Sequence, residues 1–130
     1  MELVTIIIML ALLQYIWTVI RVGGARGKYG IEAPATTGDP MFERHFRVQM
    51  NTLELLVVFV PAVWCFGYYV GQYWAVGLGL IYLTGRILYA ITYVKDPASR
   101  GPGVLLSMLS TLVMVLGGLA GAGWKYLSGV

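Results

Sequence analysis

The longest uncharged stretch of this chain, residues 55–85, reads LLVVFVPAVWCFGYYVGQYWAVGLGLIYLTG. Because one crossing of a bilayer needs about 20 apolar residues, this stretch is too long for a single membrane helix. The tyrosine-rich segment Gly67–Tyr73 interrupts it near its middle, where an aromatic belt at the membrane surface would lie. We therefore predict two helices, at about 42–68 and 74–95, and expect Pro61 to kink the first of them without ending it.

Two further apolar segments lie on either side. Leu3 to Ile20 is uncharged, just long enough for one span, and predicts a helix at about 2–24. A fourth helix is predicted at about 103–126, and its end is rich in glycine and alanine, which allow close helix contact. Pro34, Gly38 and Pro40 predict a loop between the first two helices. The expected fold is an all-α membrane protein, a four-transmembrane-helix bundle with residues 1–130 as one domain.

The composition agrees with this fold class. The 130 residues are 58% hydrophobic and 12% charged, with a net charge of +3. A soluble domain would hold about 25% charged residues, and the small net charge argues against nucleic-acid binding. Cys65 stands alone in an apolar run and is predicted to be a buried structural thiol, with no disulfide partner and no metal-ligand spacing.

Basic residues predict the orientation in the membrane. Five lie in or beside the first connection and two in the connection near residue 100, whereas the opposite side holds Lys125 alone. The positive-inside rule therefore places both basic connections in the cytoplasm and both termini on the other side. The compact connections favour a bacterial inner membrane over the endoplasmic reticulum.

Charged side chains also lie within the predicted helices, where each costs about 2.5–3.5 kcal/mol and needs a partner. At 100° per residue, Arg47, Asn51 and Glu54 share one face of the second helix, while Gln49 points towards a different neighbour. Arg86 lies in a stripe of the third helix together with Tyr82, Tyr89 and Tyr93.

These stripes allow two interpretations. In the first, Arg86 pairs with Glu54 and the tyrosines hold the bundle together. In the second, the four guanidiniums of Arg26, Arg47, Arg86 and Arg100 outnumber Glu54 and bind an anionic ligand, because a planar guanidinium binds carboxylates in a bidentate manner. Glu54 would then accept a ligand ammonium, and the ligand would enter from the cytoplasm.

Three segments carry a resemblance to a known family: Thr36–Arg44, Arg47–Glu54 and Tyr82–Tyr93. With the patterns Arg-x-Gln-x-Asn-x-x-Glu and Arg-x-x-Tyr-x-x-x-Tyr, the chain resembles the membrane-associated proteins of eicosanoid and glutathione metabolism (MAPEG). It is most similar to the branch of microsomal glutathione transferase 2 and cysteinyl-leukotriene synthase. The resemblance implies a homotrimer with glutathione at each subunit interface. No metal is expected, because the single His45 cannot build a metal site unaided.

The resemblance also implies roles for individual residues. It implies glutathione contacts, some of them from a neighbouring chain, at Arg26, Arg47, Gln49, Asn51, Glu54, Arg86, Tyr89 and Tyr93. Arg100 corresponds to the arginine that activates the glutathione thiol. A guanidinium beside the sulfur favours the thiolate, which is the nucleophile.

Three positions depart from the family pattern. Gly27 stands where leukotriene synthases have a second arginine, and Phe46 and Leu55 replace tyrosines. Leukotriene synthesis is therefore not expected. The leading hypothesis is a membrane glutathione transferase that conjugates lipophilic electrophiles and also reduces lipid hydroperoxides. The alternatives are a non-catalytic lipid-binding scaffold of the same family and a small proton-coupled exporter that uses Glu54.

Overall fold

The computed structural model describes residues 1–129 and contains four long helices in this range. They are α1 (Glu2–Tyr29), α2 (Pro40–Tyr69), α3 (Gln72–Lys95) and α4 (Gly101–Ser128), with a short 3₁₀ turn at Pro97–Arg100 directly before α4. Each of the four is long and apolar enough to cross a membrane. The predicted all-α, four-helix membrane fold is confirmed.

The first helix is longer than predicted and continues to Tyr29 instead of ending near residue 24. Gly23, Gly24 and Gly27 do not end it, since a glycine inside a helix weakens it by only about 1 kcal/mol. The helix ends at Gly30, whose positive φ of 68° is the left-handed conformation that glycine adopts readily at a helix end. The Asp39 side chain then caps α2, accepting from the backbone N–H groups of Met41 and Phe42.

Helices α2 and α3 form the centre of the bundle, since each of them contacts both α1 and α4. The rings of Phe59 and Tyr82 stack there with centroids 3.7 Å apart, and both residues are fully buried. Tyr82 therefore belongs to the core. Pro61 lies inside α2, and the helix continues past it as predicted.

Large apolar side chains cover the outside of the bundle, among them Ile6, Leu13 and Leu119. Such an apolar surface is stable in contact with lipid and unfavourable in contact with water. The prediction for Cys65 was wrong, because its side chain is exposed on this outer surface. Cys65 lines a shallow apolar groove between α2 and α4. It lies on a face of α2 that is adjacent to the face packed in the core.

Candidate functional site

The α2 stripe has the geometry that its spacing predicts. Arg47 and Glu54 lie two helical turns apart on one face, and Arg47 Nη1 is 4.0 Å from Glu54 Oε1. Both side chains are more than half exposed, so the pair is loose and open to a ligand. Asn51 lies between them on the same face and is partly buried.

Arg86 on α3 is the buried cation of the site, with only 2% of its surface exposed. Its Nη2 donates to Asn51 Oδ1 at 2.7 Å and to Thr52 Oγ1 at 2.9 Å, and its Nη1 donates to Ser107 Oγ at 3.4 Å. All three partners are neutral. The interpretation that pairs Arg86 with Glu54 was therefore wrong, because the guanidinium is directed towards the α2–α4 contact and Glu54 faces outward beside Arg47.

Close contact between α3 and α4 sets the position of this guanidinium. A Cβ on Gly103 would lie 2.5 Å from the backbone nitrogen of Tyr89, and one on Gly85 would lie 2.8 Å from that of Ser107. Only glycine permits this approach. It brings the Ser107 hydroxyl, which also donates to the Gly103 carbonyl, within reach of Arg86.

Tyr89 and Tyr93, the two tyrosines of α3 that the sequence predicts for the site, lie next to Arg86 along the helix. The guanidinium carbon of Arg86 lies 4.6 Å from the centre of the Tyr89 ring, a cation–π arrangement. The ring of Tyr89 stacks on that of Tyr93 at 5.4 Å. Tyr89 is buried and Tyr93 is partly buried, so the pair leads from the buried arginine towards the end of the bundle that carries the first loop.

An open cleft of about 280 Å³ lies over these residues, and its lining comes from α2, α3 and α4. The residues that line it are Asn51, Glu54, Leu55, Arg86, Val104 and Met108. Arg100 is exposed at the N-cap of α4, one helical turn before Val104, which lines the cleft. Arg47 lies beside Glu54, another residue of the lining. Arg86 and Glu54 thus line the cleft itself, and two further arginines lie next to residues of its lining.

Two predicted residues lie elsewhere in the chain. Gln49 Nε2 donates to the Tyr15 hydroxyl on α1 at 3.3 Å, which is the different neighbour that its helical position predicts. Arg26 donates to the Ala35 carbonyl at 2.7 Å and lies over the Phe42 ring. Within one chain, neither of these side chains joins the cluster around Asn51 and Arg86.

The three departures from the family pattern have distinct surroundings. Leu55 lines the cleft and presents no hydroxyl to it. Phe46 packs against Phe42, with ring centroids 6.2 Å apart. Apart from its chain neighbours and its own helix backbone, no atom of the described residues lies within 4 Å of a Cβ added at Gly27. The fold therefore leaves room for a side chain at this position, where the family pattern has a second arginine.

Sequence reasoning missed Thr52 and Ser107, which hold Arg86 in place. Their signal was present in the spacing of small residues, since Gly103 and Ser107 form a small-xxx-small pair that marks a helix contact in membranes. Within residues 1–129, no group of three histidine, cysteine, aspartate or glutamate side chains could hold a metal ion. The polar groups that line the cleft are the guanidinium of Arg86, the carboxylate of Glu54 and the amide of Asn51.

The fold and the cleft define a class: a four-helix membrane protein with an arginine-rich cleft between three of its helices. The model of the MAPEG family matches residues 4–120. This chain belongs to the MAPEG family, and it is a multi-pass integral membrane protein.

Three relatives illustrate the similarity. An uncharacterised protein of Synechocystis sp. is 46% identical over 116 residues, covering 89% of this chain and 85% of the relative. Human microsomal glutathione S-transferase 2 is 40% identical over 107 residues, covering 82% and 73%. Leukotriene C4 synthase of Cavia porcellus is 34% identical over 98 residues, covering 75% and 65%.

Proposed function

We propose that this protein is a membrane glutathione S-transferase that conjugates glutathione to lipophilic electrophiles. The observation that carries the proposal is the charge of the cleft. Arg86 is buried at its floor with no carboxylate partner among residues 1–129, Arg47 lies beside the lining residue Glu54, and Arg100 lies one helical turn before the lining residue Val104. A buried cation with neutral partners alone is costly in a membrane protein, and a bound carboxylate would offset that cost.

The chemistry of glutathione matches the groups around the cleft. Its two carboxylates suit the arginines, and its ammonium suits Glu54, which faces outward in a loose pair with Arg47. Asn51 offers an amide, held by Arg86, for the peptide backbone. The similarity to microsomal glutathione S-transferase 2 of three mammals supports the same ligand.

Arg100 is the residue that we assign to thiol activation. A free thiol is only a few per cent ionised near neutral pH, and a nearby guanidinium stabilises the thiolate. Arg100 lies exposed at the N-cap of α4, one helical turn before the cleft residue Val104, and from there we expect it to approach a bound sulfur. In the reaction, the thiol proton passes to solvent, the sulfur forms a bond to the electrophilic carbon, and the leaving group departs with its electron pair.

Reduction of lipid hydroperoxides is a second proposed output of the same thiolate. Two glutathione molecules would supply two electrons, giving glutathione disulfide, the lipid alcohol and water. The hydroperoxide and the electrophile are both lipophilic, so they would reach the thiolate from the bilayer along the apolar outer surface of the bundle.

We further propose a homotrimer in which a neighbouring chain contributes to each site. Arg26 and Gln49 lie apart from the Asn51 cluster within one chain, so they can act on a ligand only from another subunit. The end of α1 that carries Arg26 and the turn that carries Arg100 are proposed to face the cytoplasm, in the inner membrane of a bacterium.

The test is a titration of the purified protein with glutathione near neutral pH, following the ultraviolet absorbance of the thiolate. S-methylglutathione is the matched control, because it keeps every charged group and has no ionisable thiol. The proposal expects both ligands to bind and glutathione alone to give the absorbance. Binding without absorbance would contradict thiol activation, and no binding of either ligand would favour the non-catalytic lipid-binding scaffold.

A further inference from the structure

A second groove lies between α1 and α3, on the outer surface of the bundle. It has a volume of about 370 Å³, and Gln14 Nε2 joins its two walls by donating to the Leu83 carbonyl at 2.8 Å. The residues that line it are Leu10, Leu13, Gln14, Trp17, Leu83 and Ile87. The groove is almost entirely apolar and shares no lining residue with the arginine-rich cleft.

Arg21 lies at one end of this groove. Its guanidinium carbon is 4.7 Å from the centre of the Trp17 ring, which itself lines the groove. Its Nη1 is buried and has no hydrogen-bond partner among the residues that the structure describes. Among residues 1–129 the ion pairs are Met1–Glu2 and Arg47–Glu54, so Arg21 has no carboxylate partner in this part of the chain.

The surroundings of Arg21 are positively charged as well. Arg21 and Lys28 both lie close enough to His45 for their charges to act on it. Arg44, on the same turn of α2 as His45, donates to the Val94 carbonyl at the end of α3. Arg21 therefore lies near other cations and offers an anion a guanidinium that has no carboxylate partner among residues 1–129.

The depth of Arg21 in the membrane suits a lipid headgroup. It is the first charged residue after the 18 uncharged residues Leu3–Ile20, a length of about 27 Å at 1.5 Å per residue. That length is close to the thickness of the hydrocarbon layer, so Arg21 lies where the layer ends. Trp17, one helical turn deeper, has the position that interfacial tryptophans prefer.

We propose that this groove is a binding site for an anionic phospholipid of the surrounding membrane. The phosphate lies on Arg21 and an acyl chain occupies the apolar groove towards Leu10. Charge complementarity selects the lipid class: an anionic lipid supplies the counter-charge that Arg21 lacks among residues 1–129, whereas a zwitterionic lipid brings its own ammonium to a site that is already cationic. The site is independent of the proposed glutathione chemistry.

The experiment uses tryptophan quenching by lipids with brominated acyl chains. The whole protein is reconstituted into phosphatidylcholine vesicles that contain, at equal mole fraction, either brominated phosphatidylglycerol or brominated phosphatidylcholine. The Trp17 contribution is the difference between the native protein and the Trp17→Phe variant. We expect brominated phosphatidylglycerol to compete about five-fold better at Trp17, the factor for one basic side chain near an anionic headgroup.

The Arg21→Gln variant should abolish this preference. The control is Lys125→Gln, which removes a cation of α4 that lies near Tyr68, and it should retain the preference. Circular dichroism verifies that both variants fold. Equal quenching by the two lipids in the native protein would overturn the proposal without reference to any variant. A preference that survives in Arg21→Gln would overturn it too. The absence of Trp17 quenching by either lipid would mean that another protein chain or the lipophilic substrate covers the groove, and would equally overturn it.

Discussion

The Arg86 guanidinium on α3 holds the Asn51 side chain on α2 with a hydrogen bond of 2.7 Å, and no carboxylate of residues 1–129 shares that guanidinium. Asn51 lines the cleft, so the exposed polar surface of α2 depends on a buried cation of α3. Arg86 is thus a residue that positions Asn51 and contributes its charge to the floor of the cleft. This arrangement leads to the first prediction.

Replacing Arg86 by Gln should raise the dissociation constant for glutathione about tenfold or more, because one charge-assisted hydrogen bond contributes about 1.5–3 kcal/mol. Thr52→Val is the matched control, since it removes another acceptor of Arg86 and leaves the Asn51 bond in place. Equilibrium titration with glutathione measures both variants. Equal losses in the two would contradict a specific role for the Arg86–Asn51 bond.

Replacing Arg100 by Ala should lower turnover about tenfold or more while the glutathione affinity changes little, since the loss is in stabilisation of the thiolate. The thiolate absorbance of the bound ligand should disappear in parallel. Lys95→Ala removes an exposed cation from the same connection and should retain both signals. Retention of the absorbance in Arg100→Ala would remove this arginine from thiol activation.

Glu54 is expected to bind the ligand ammonium, which can be tested by changing both partners. Glutathione acetylated on its amino group should bind the native protein about tenfold more weakly than glutathione does, because a charged hydrogen bond is lost. In Glu54→Gln the two ligands should bind alike. If acetylation still weakens binding in that variant to the same degree, the ammonium has another partner.

Gly103→Ala should destabilise the protein and disorder the site, because the new methyl group would meet the Tyr89 backbone at 2.5 Å and force α4 away from α3. We expect a cost of about 1–3 kcal/mol, seen as earlier thermal unfolding. Gly101→Ala is the control, since nothing lies within 4 Å of its added atom. Equal unfolding temperatures for the two variants would contradict the close helix contact.

The proposed trimer can be tested by mixing two variants that each lack one arginine of the site. When Arg26→Ala and Arg100→Ala chains assemble together, a site built from two subunits regains both arginines at about a quarter of the interfaces. Activity should therefore recover to about that fraction of the native value. A site formed within one chain would give no recovery, because each chain carries one of the two substitutions.

Much of the architecture can be read from the sequence. Leu3–Ile20 and the two apolar halves of residues 55–85 are expected to be helical, because a bilayer satisfies backbone hydrogen bonds only within helices or closed barrels. The faces shared by Arg47, Asn51 and Glu54, and the opposite direction of Gln49, follow from the helical repeat. The continuation of α1 to Tyr29 was not predictable from its glycines, since their effect on a helix is small compared with packing.

The partners across helices were decided by the tertiary structure alone. Helical periodicity gives the direction of Arg86 on its own helix, but the rotation and separation of α2, α3 and α4 determine what that side chain meets. Contacts at Gly85 and Gly103 set this separation, and they direct Arg86 to Asn51, Thr52 and Ser107 instead of Glu54. The exposure of Cys65 has the same origin, because which face of a uniformly apolar helix meets lipid depends on where its neighbours pack.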